Sequence, residues 1–379
     1  MDKRKPQSIG LVFLGRGDGI ATYTLNLAAA LSTKMDVYIY IASSNPLIDR
    51  YKQAGCKVRT FYTYKNNLAS LLLSFIFRNR IKKISTALNQ DRPEVVLETG
   101  ISLWRKLIRK KVSYSPLWGT VIHDPNPHPD RWYWLTKIMY ALNKMDTDFY
   151  VGISDYSFTA MKSIYRHDRL IRSKIGSLDS TTDLQEDQLI NNACHNRHKL
   201  LFIGRIEEYK GVSTLVDAFE LAKSSNPELA LTIAGRGVIS SEIASKIVKN
   251  QIDLINKWVP QQELNALLNT HGILVLPYSS ATQSGPASIA ISRGIPSVAT
   301  NVGALPEQIK HGVNGIIVPP NDSKALANAL VQITRNEDTV KQMSEAALEL
   351  SRNEYSWENI ANNLFSEISD VYLSLRRAQ

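Results

Sequence analysis

The 379-residue sequence predicts an α/β protein of two Rossmann-like, doubly wound domains. Three features carry that prediction. Short apolar runs alternate with stretches of helical spacing. The alternation breaks in a polar stretch at 176–198 and then restarts. In each half the first strand runs into a glycine-bearing turn. The expected divisions are a first domain at 1–175, a linker at 176–198, a second domain at 199–355 and a final helix at 356–379. With 44% hydrophobic and 21% charged residues, the composition is that of a globular enzyme and excludes a disordered chain.

Ile9–Leu14 is the first strand. It leads into Gly15-Arg16-Gly17-Asp18-Gly19, and Leu25, Leu27, Ala28 and Leu31 then give helical spacing. A glycine-rich strand-to-helix turn suggests dinucleotide binding. Two details argue against a nicotinamide dehydrogenase. The spacing is G-x-G-x-G, and the next strand, Val37–Ile41, ends in Ala42-Ser43-Ser44 where an acidic ribose ligand is needed. The glycines still allow a substrate close to the backbone. Val58–Tyr62, Val95–Leu97, Thr120–Ile122 and Phe149–Gly152 continue the strands. His123 follows Thr120–Ile122, in a loop that Pro125, Pro127 and Pro129 keep extended, so it lies at a strand's carboxyl end. Ser154 holds the same place on the next strand, as a site residue or as a helix N-cap.

The net charge of +10 is uneven. Residues 1–175 hold 28 Lys and Arg against 13 Asp and Glu, whereas residues 176–379 hold 17 against 22. A basic half beside a mildly acidic one points to an anionic partner. Leu68–Phe77 is almost wholly apolar and runs into Arg78, Arg80, Lys82 and Lys83; Trp104 precedes Arg105, Lys106, Arg109, Lys110 and Lys111. Such pairings suit an anionic bilayer surface. The alternatives are a core helix for the first stretch and a solvated basic helix for the second. No nucleic-acid motif is present, so nucleic acid is not an expected partner. Cys56 and Cys194 form no disulfide framework, and Met1–Ser8 is no signal sequence. The expectation is a cytoplasmic protein, peripheral on the inner face of a bacterial cytoplasmic membrane.

In the polar join, Cys194-His195-x-x-His198 offers three soft ligands without a fourth, so no metal is expected. Leu200–Ile203 then restarts the pattern and leads into Gly204-Arg205-Ile206-Glu207-Glu208-Tyr209-Lys210-Gly211. Leu231–Ala234 ends in Gly235-Arg236-Gly237, and Ile252–Ile255, Ile273–Leu276, Ser297–Thr300 and Gly315–Val318 supply four more strands. After Ile273–Leu276 a polar loop enters a helix at Ser284-Gly285, closed by Gly294. Free amides and the positive dipole end make such a turn an anion site. Arg205, Lys210 and that helix start, converging on one crevice, describe a diphosphate site.

Phe-Ile-Gly-Arg-Ile-x-x-x-Lys-Gly (202–211), Ala-Gly-Arg-Gly (234–237), Pro-Ser-Val-Ala-Thr-Asn-Val-Gly-Ala-Leu-Pro-Glu (296–307) and His-Gly-Val-Asn-Gly-Ile-Ile-Val-Pro-Pro-Asn-Asp (311–322) resemble the family-four retaining glycosyltransferases. The resemblance is dense over the second half and reaches the first through Gly15–Gly19, His123-Asp124 and Val151–Ser154. It implies a GT-B fold, a nucleotide-diphosphate sugar donor held mainly by the second domain, no cofactor and no required metal. It further implies that Arg205 and Lys210 bind the diphosphate and that Gly17 and Gly19 approach the donor from the other side. His123 would sit near the transferred sugar, and the last helix would cross back onto the first domain.

One departure stands out. Many members of that family carry two glutamates eight positions apart before the glycine matching Gly294. Here those places hold Ala281 and Ile289, and Thr282-Gln283-Ser284-Gly285 is similar to a variant branch. Gln283 can hydrogen-bond a sugar hydroxyl without supplying charge. Glu307 is the remaining acidic candidate at the donor, or a loop anchor. The expected reaction is retaining transfer by front-face attack, with Arg205, Lys210 and the Ser284 and Gly285 amides stabilising the departing nucleoside diphosphate. The expected acceptor is a saccharide, lipid-linked, in bacterial cell-surface polysaccharide or lipopolysaccharide synthesis, with UDP-sugar as donor. The missing glutamates motivate a second reading, a catalytically silent GT-B scaffold that binds nucleotide or a partner glycosyltransferase.

Overall fold

The computed structural model describes residues 4–15, 19–63, 78–102, 104–125, 147–165, 169–178 and 184–377. The chain divides into two compact units, Met1–Gly176 with Trp357–Gln379, and Ser177–Ser356. Each is a parallel sheet between helices.

The first unit contains β1 (Ser8–Phe13), β2 (Asp36–Ala42), β3 (Lys57–Phe61), β4 (Val95–Glu98), β5 (Leu117–Ile122), β6 (Phe149–Gly152) and β7 (Leu170–Arg172). They pair in the order β3-β2-β1-β4-β5-β6-β7, all parallel. The central strands β4, β5 and β6 are buried at every position, so they read as mostly apolar, and their polar members Glu98 and Thr120 are buried with them. The described helices of this part are α1 (Gly19–Leu31), α2 (Ile48–Gln53), α3 (Arg78–Asp91), α4 (Arg105–Arg109) and α5 (Asp155–Ile164). The C-terminal helix, Trp357–Arg377, belongs to this unit. It packs along α1, and Tyr372 Oη donates to Glu94 Oε1 at 2.9 Å.

The second unit contains β8 (Lys199–Ile203), β9 (Ala230–Ala234), β10 (Asp253–Ile255), β11 (Ile273–Leu276), β12 (Ser297–Thr300) and β13 (Gly315–Val318), in the order β10-β9-β8-β11-β12-β13. Its helices are α6 (Glu186–His195), α7 (Val212–Ser225), α8 (Ser241–Lys249), α9 (Gln261–Thr270), α10 (Gly285–Ser292), α11 (Leu305–Gln308), α12 (Ser323–Arg335) and α13 (Glu337–Asn353). One continuous core fills this unit, with Leu200, Phe202, Phe219, Ile233 and Leu274 all at 0% exposure. In both sheets the order reverses beside the first strand, between β1 and β4 and between β8 and β11. Ligands of doubly wound sheets bind at the carboxyl ends of strands at such points.

Three expectations change. The stretch 176–198 is not a plain connection, because 186–195 is helix α6, packed against α13. Its polar sequence hides one buried stripe, Leu189, Ala193 and Cys194, and Gln185 with Gln188 closes a capping box at its start. Trp104 is no membrane anchor: it is fully buried among Val12, Ile84, Val96 and Trp118. Arg105 is 2% exposed and faces Glu98, so the basic surface there reduces to Lys106, Lys110 and Lys111 beside the exposed Leu107. Leu68–Phe77, the other candidate membrane stretch, lies outside the described residues. Among the described residues no helix is long and apolar enough to cross a membrane.

Candidate active site

In the second unit, β8 ends at Ile203 and the chain turns through Gly204 and Arg205 into a single 3-10 turn, Glu208–Lys210. This turn lies against the loop after β11, across the strand reversal, where Ser279 N donates to Tyr209 O at 2.8 Å. Gly211 makes the approach possible. Its φ is +70°, and a Cβ there would lie 1.9 Å from Pro277 O. Lys210 Nζ therefore sits 3.7 Å from the centre of the Tyr278 ring, and Tyr278 is fully buried. Burial lowers the pKa of the Lys210 ammonium, and the nearby Arg205 charge lowers it further. Arg205 differs in setting. Its side chain is 69% exposed, with Nη1 2.8 Å from Glu207 Oε1 and Nη2 3.4 Å from Tyr209 Oη. The predicted cation pair is thus brought together, one member half-buried on an aromatic ring and the other in water.

The Ser284 expectation is corrected in part. Ser284 is 1% exposed and caps α10, its Oγ accepting from Ala287 N at 3.2 Å. Its own N–H donates to Gln308 Oε1 at 3.1 Å, while Gln308 Nε2 donates to Ser284 O at 3.0 Å. The Ser284 amide therefore already has an acceptor inside the protein. Pro286 has no N–H, so Gly285 carries the amide of this first turn that is not committed in this way. Gln308 was not foreseen: its partner lies 24 residues away, and no local pattern announces the pair. Gln283 and Glu307 are both half-buried. Glu307 lies in α11, where its carbonyl accepts from Tyr355 Oη at 2.8 Å. Ala281 is 5% exposed and Ile289 packs against the core, so both places where glutamates were sought are apolar.

In the first unit, His123 follows β5, and its Nε2 lies 2.8 Å from Thr99 O, just past β4. A carbonyl only accepts, so the proton is on Nε2 and Nδ1 is the basic nitrogen. Burial brings the pKa of His123 down to about 4 despite that hydrogen bond, so the ring is neutral at pH 7. Beneath the same strand ends Glu98, 2% exposed, lies 3.6 Å from Arg105 and accepts from Ser102 N at 2.9 Å. Burial pushes the Glu98 carboxyl up, and Arg105 opposes that shift. Arg105 also donates to Thr120 Oγ1 at 2.6 Å and to Thr147 Oγ1. Gly19 opens α1 at the surface, and Gly17 lies outside the described residues. Ser154 is the N-cap of α5, accepting from Ser157 N at 3.0 Å. The join's candidate ligand His198 is engaged by Glu228 at 3.3 Å and Asn226 at 3.4 Å.

Two Rossmann-like parallel-sheet units, each with polar groups at its strand reversal, define the GT-B architecture of glycosyltransferases. Residues 185–350 match the family model described as glycosyl transferases group 1. Across 184 residues the chain is 27% identical to a glycogen synthase of Mycobacterium tuberculosis, covering 48% of this chain and 44% of that one. Across 188 residues it is 27% identical to the amylovoran biosynthesis glycosyltransferase AmsK of Erwinia amylovora, covering 47% and 46%. The chain thus spans less than half the length of these two relatives. A third likeness is longer: 26% identity over 363 residues to an uncharacterized 41.2 kDa protein in the cps region of Klebsiella pneumoniae, covering 91% and 94%. Among solved structures, Anabaena HepE in complex with UDP and glucose superposes with a TM-score of 0.73 at 14% identity, over 96% of this chain and 99% of that one.

Proposed function

We propose that this protein is a retaining glycosyltransferase that moves a sugar from a nucleotide-diphosphate donor, a UDP-sugar, to a lipid-linked saccharide in bacterial cell-surface polysaccharide synthesis. The observation that carries the proposal is the cation pair at the strand reversal of the second unit, inside the segment that matches glycosyl transferases group 1. The relatives in amylovoran biosynthesis and in a cps region support the polysaccharide setting, and the UDP-bound structural neighbour supports the donor.

In this reading Lys210 and the Gly285 N–H meet the phosphates, and Arg205 exchanges Glu207 for phosphate oxygens. Charge on the leaving group is what they stabilise. The bond from the anomeric carbon to the β-phosphate oxygen breaks, and its electron pair stays on the phosphate. The acceptor oxygen bonds to the same face of that carbon, and its proton passes to the β-phosphate oxygen. His123, neutral and with Nδ1 as acceptor, receives a hydrogen bond from a donor-sugar hydroxyl, and Gln283 holds another. Glu307 anchors its loop near the donor. The positive charge at the phosphates comes from Lys210 and Arg205, so this scheme invokes no metal.

Release of UDP from a UDP-sugar, with and without a lipid-linked acceptor, tests the reaction; no release with any of the UDP-, GDP- or ADP-sugars that bind refutes it. The membrane part rests on Lys82 and Lys83 of α3 with Lys106, Lys110, Lys111 and Leu107, all exposed. Flotation with anionic but not zwitterionic liposomes is expected, and equal behaviour with both removes it. The apolar surroundings of Ala281 and Ile289 favour one rival, a nucleotide-binding scaffold without turnover. Binding without any sugar release is its signature.

A further inference from the structure

His123 is held by two successive residues of α1. Thr24 Oγ1 is hydrogen-bonded to Thr99 Oγ1 at 2.7 Å, both groups fully buried, and it is the Thr99 carbonyl that receives His123 Nε2. Tyr23, also 0% exposed, sets its ring edge-on to the imidazole, with centroids 5.1 Å apart and planes at 82°. Trp357 also lies against the Tyr23 ring, with centroids 5.3 Å apart and planes at 69°. Trp357 is the residue at which the chain re-enters the first unit. Its indole in turn covers Gly176, the residue at which the chain leaves that unit; a Cβ on Gly176 would meet the indole at 2.7 Å. Among the described residues the buried Tyr23 Oη has no hydrogen-bond partner. Its ring is what the arrangement uses. An edge-to-face contact fixes the plane of the imidazole, and the carbonyl fixes which nitrogen is protonated.

We propose that Tyr23 is a positioning residue for His123, backed by Trp357 at the chain crossover and assisted by Thr24 through Thr99. The α1 start thereby sets the direction of the His123 Nδ1 lone pair, and the crossover residues are in ring contact with that setting. The proposal rests on the glycosyl-transfer reading for its kinetic arm alone. Its structural arm concerns the state of one imidazole.

The experiment combines ring-nitrogen NMR of His123, assigned with His123→Gln, with steady-state kinetics. Tyr23→Phe should keep the Nε2–H tautomer and leave kcat within about twofold. Tyr23→Ala should give averaged ring-nitrogen shifts, raise the His123 pKa toward its ordinary value, and lower kcat about tenfold or more with KM for the nucleotide sugar within about threefold. Trp357→Ala should shift the same signals in the same direction by less. If Tyr23→Ala does not fold, Tyr23→Leu and Thr24→Val supply the same reading. Unchanged His123 signals in the folded variants overturn the proposal, as does an unchanged kcat in an enzyme that transfers sugar. Altered His123 signals in a protein that transfers no sugar leave the positioning role standing and overturn the proposed function instead.

Discussion

Lys210→Met isolates one positive charge. The methionine keeps an unbranched chain over Tyr278 and removes the ammonium that sits 3.7 Å from that ring's centre. Two magnitudes follow. The lost cation–π contact costs about 0.5–2 kcal/mol. In a unit of this size that lowers Tm by about 1–8 °C, at about 2–4 °C per kcal/mol. The lost phosphate charge costs more in turnover, because removing one preorganised donor from a developing anion lowers kcat by about 10²–10³. The setting puts Lys210 at the large end of that range. It is recessed beside a buried ring, where a charge acts through less water, whereas Arg205 is 69% exposed and must first leave Glu207. Arg205→Ala should therefore cost turnover only about tenfold. The assay is UDP release at saturating donor, run beside a thermal melt. A Lys210→Met enzyme within threefold of wild-type turnover refutes the assignment, and so does an Arg205→Ala loss exceeding that of Lys210→Met.

Three further outcomes are expected. Gln308→Ala leaves the buried Ser284 N–H without its acceptor, at about 1–3 kcal/mol, while Ser284 C=O keeps the Ser288 N–H at 3.2 Å; a urea titration reads the loss directly. Ser284→Ala loses the helix cap, about 1 kcal/mol, yet keeps donor affinity within threefold by calorimetry; a larger loss returns Ser284 to the phosphate site. His123 has a folded pKa of about 4, below its usual unfolded value of about 6.5, so the unfolded chain binds the extra proton between those limits. Its contribution is present above pH 6.5 and is lost as pH falls toward 4, amounting to at most about 3 kcal/mol and less for a ring that is partly exposed. Melts of wild type against His123→Gln across that window check the sign: the wild type should lose stability faster on acidification.

How much of this was legible in the chain depends on whether the governing contact is local. β4, β5 and β11 are buried at every position, so each carries an apolar core, Val95–Leu97, Val121–Ile122 and Ile273–Leu276, that announces itself. The position of Arg205, Lys210 and His123 at strand ends was legible because a glycine, or a run of prolines, follows each strand. What the turns meet was not. The Gly211 turn exists to let the 3-10 turn reach Pro277, and Gly303, at φ +53°, exists because a Cβ there would fall 1.6 Å from Ala281 O. Those glycines look like phosphate-loop residues in sequence, and in the structure they are places where two backbones touch. Thr24 and Thr99 are 75 residues apart and Glu98 finds Arg105 across a loop, so no period or spacing could pair them.

The same distinction separates the Ser284 turn from the two positions where glutamates were sought. A helix start is an anion site only if its amides have no internal acceptor, and whether they do depends on Gln308, which lies on another helix. Ala281 and Ile289, by contrast, declare their chemistry in their own side chains, and the core that encloses them agrees. Placing a carboxylate at Ala281 would bury a charge against backbone already in contact with Gly303, at a cost of several kcal/mol unless it stayed protonated. The paired carboxylates are therefore not one substitution away. In the proposed reaction the electrostatics come from the cations at β8, the Gly285 N–H and the donor's own phosphates, and that is why the Lys210 charge is the group on which the proposed reaction stands or falls.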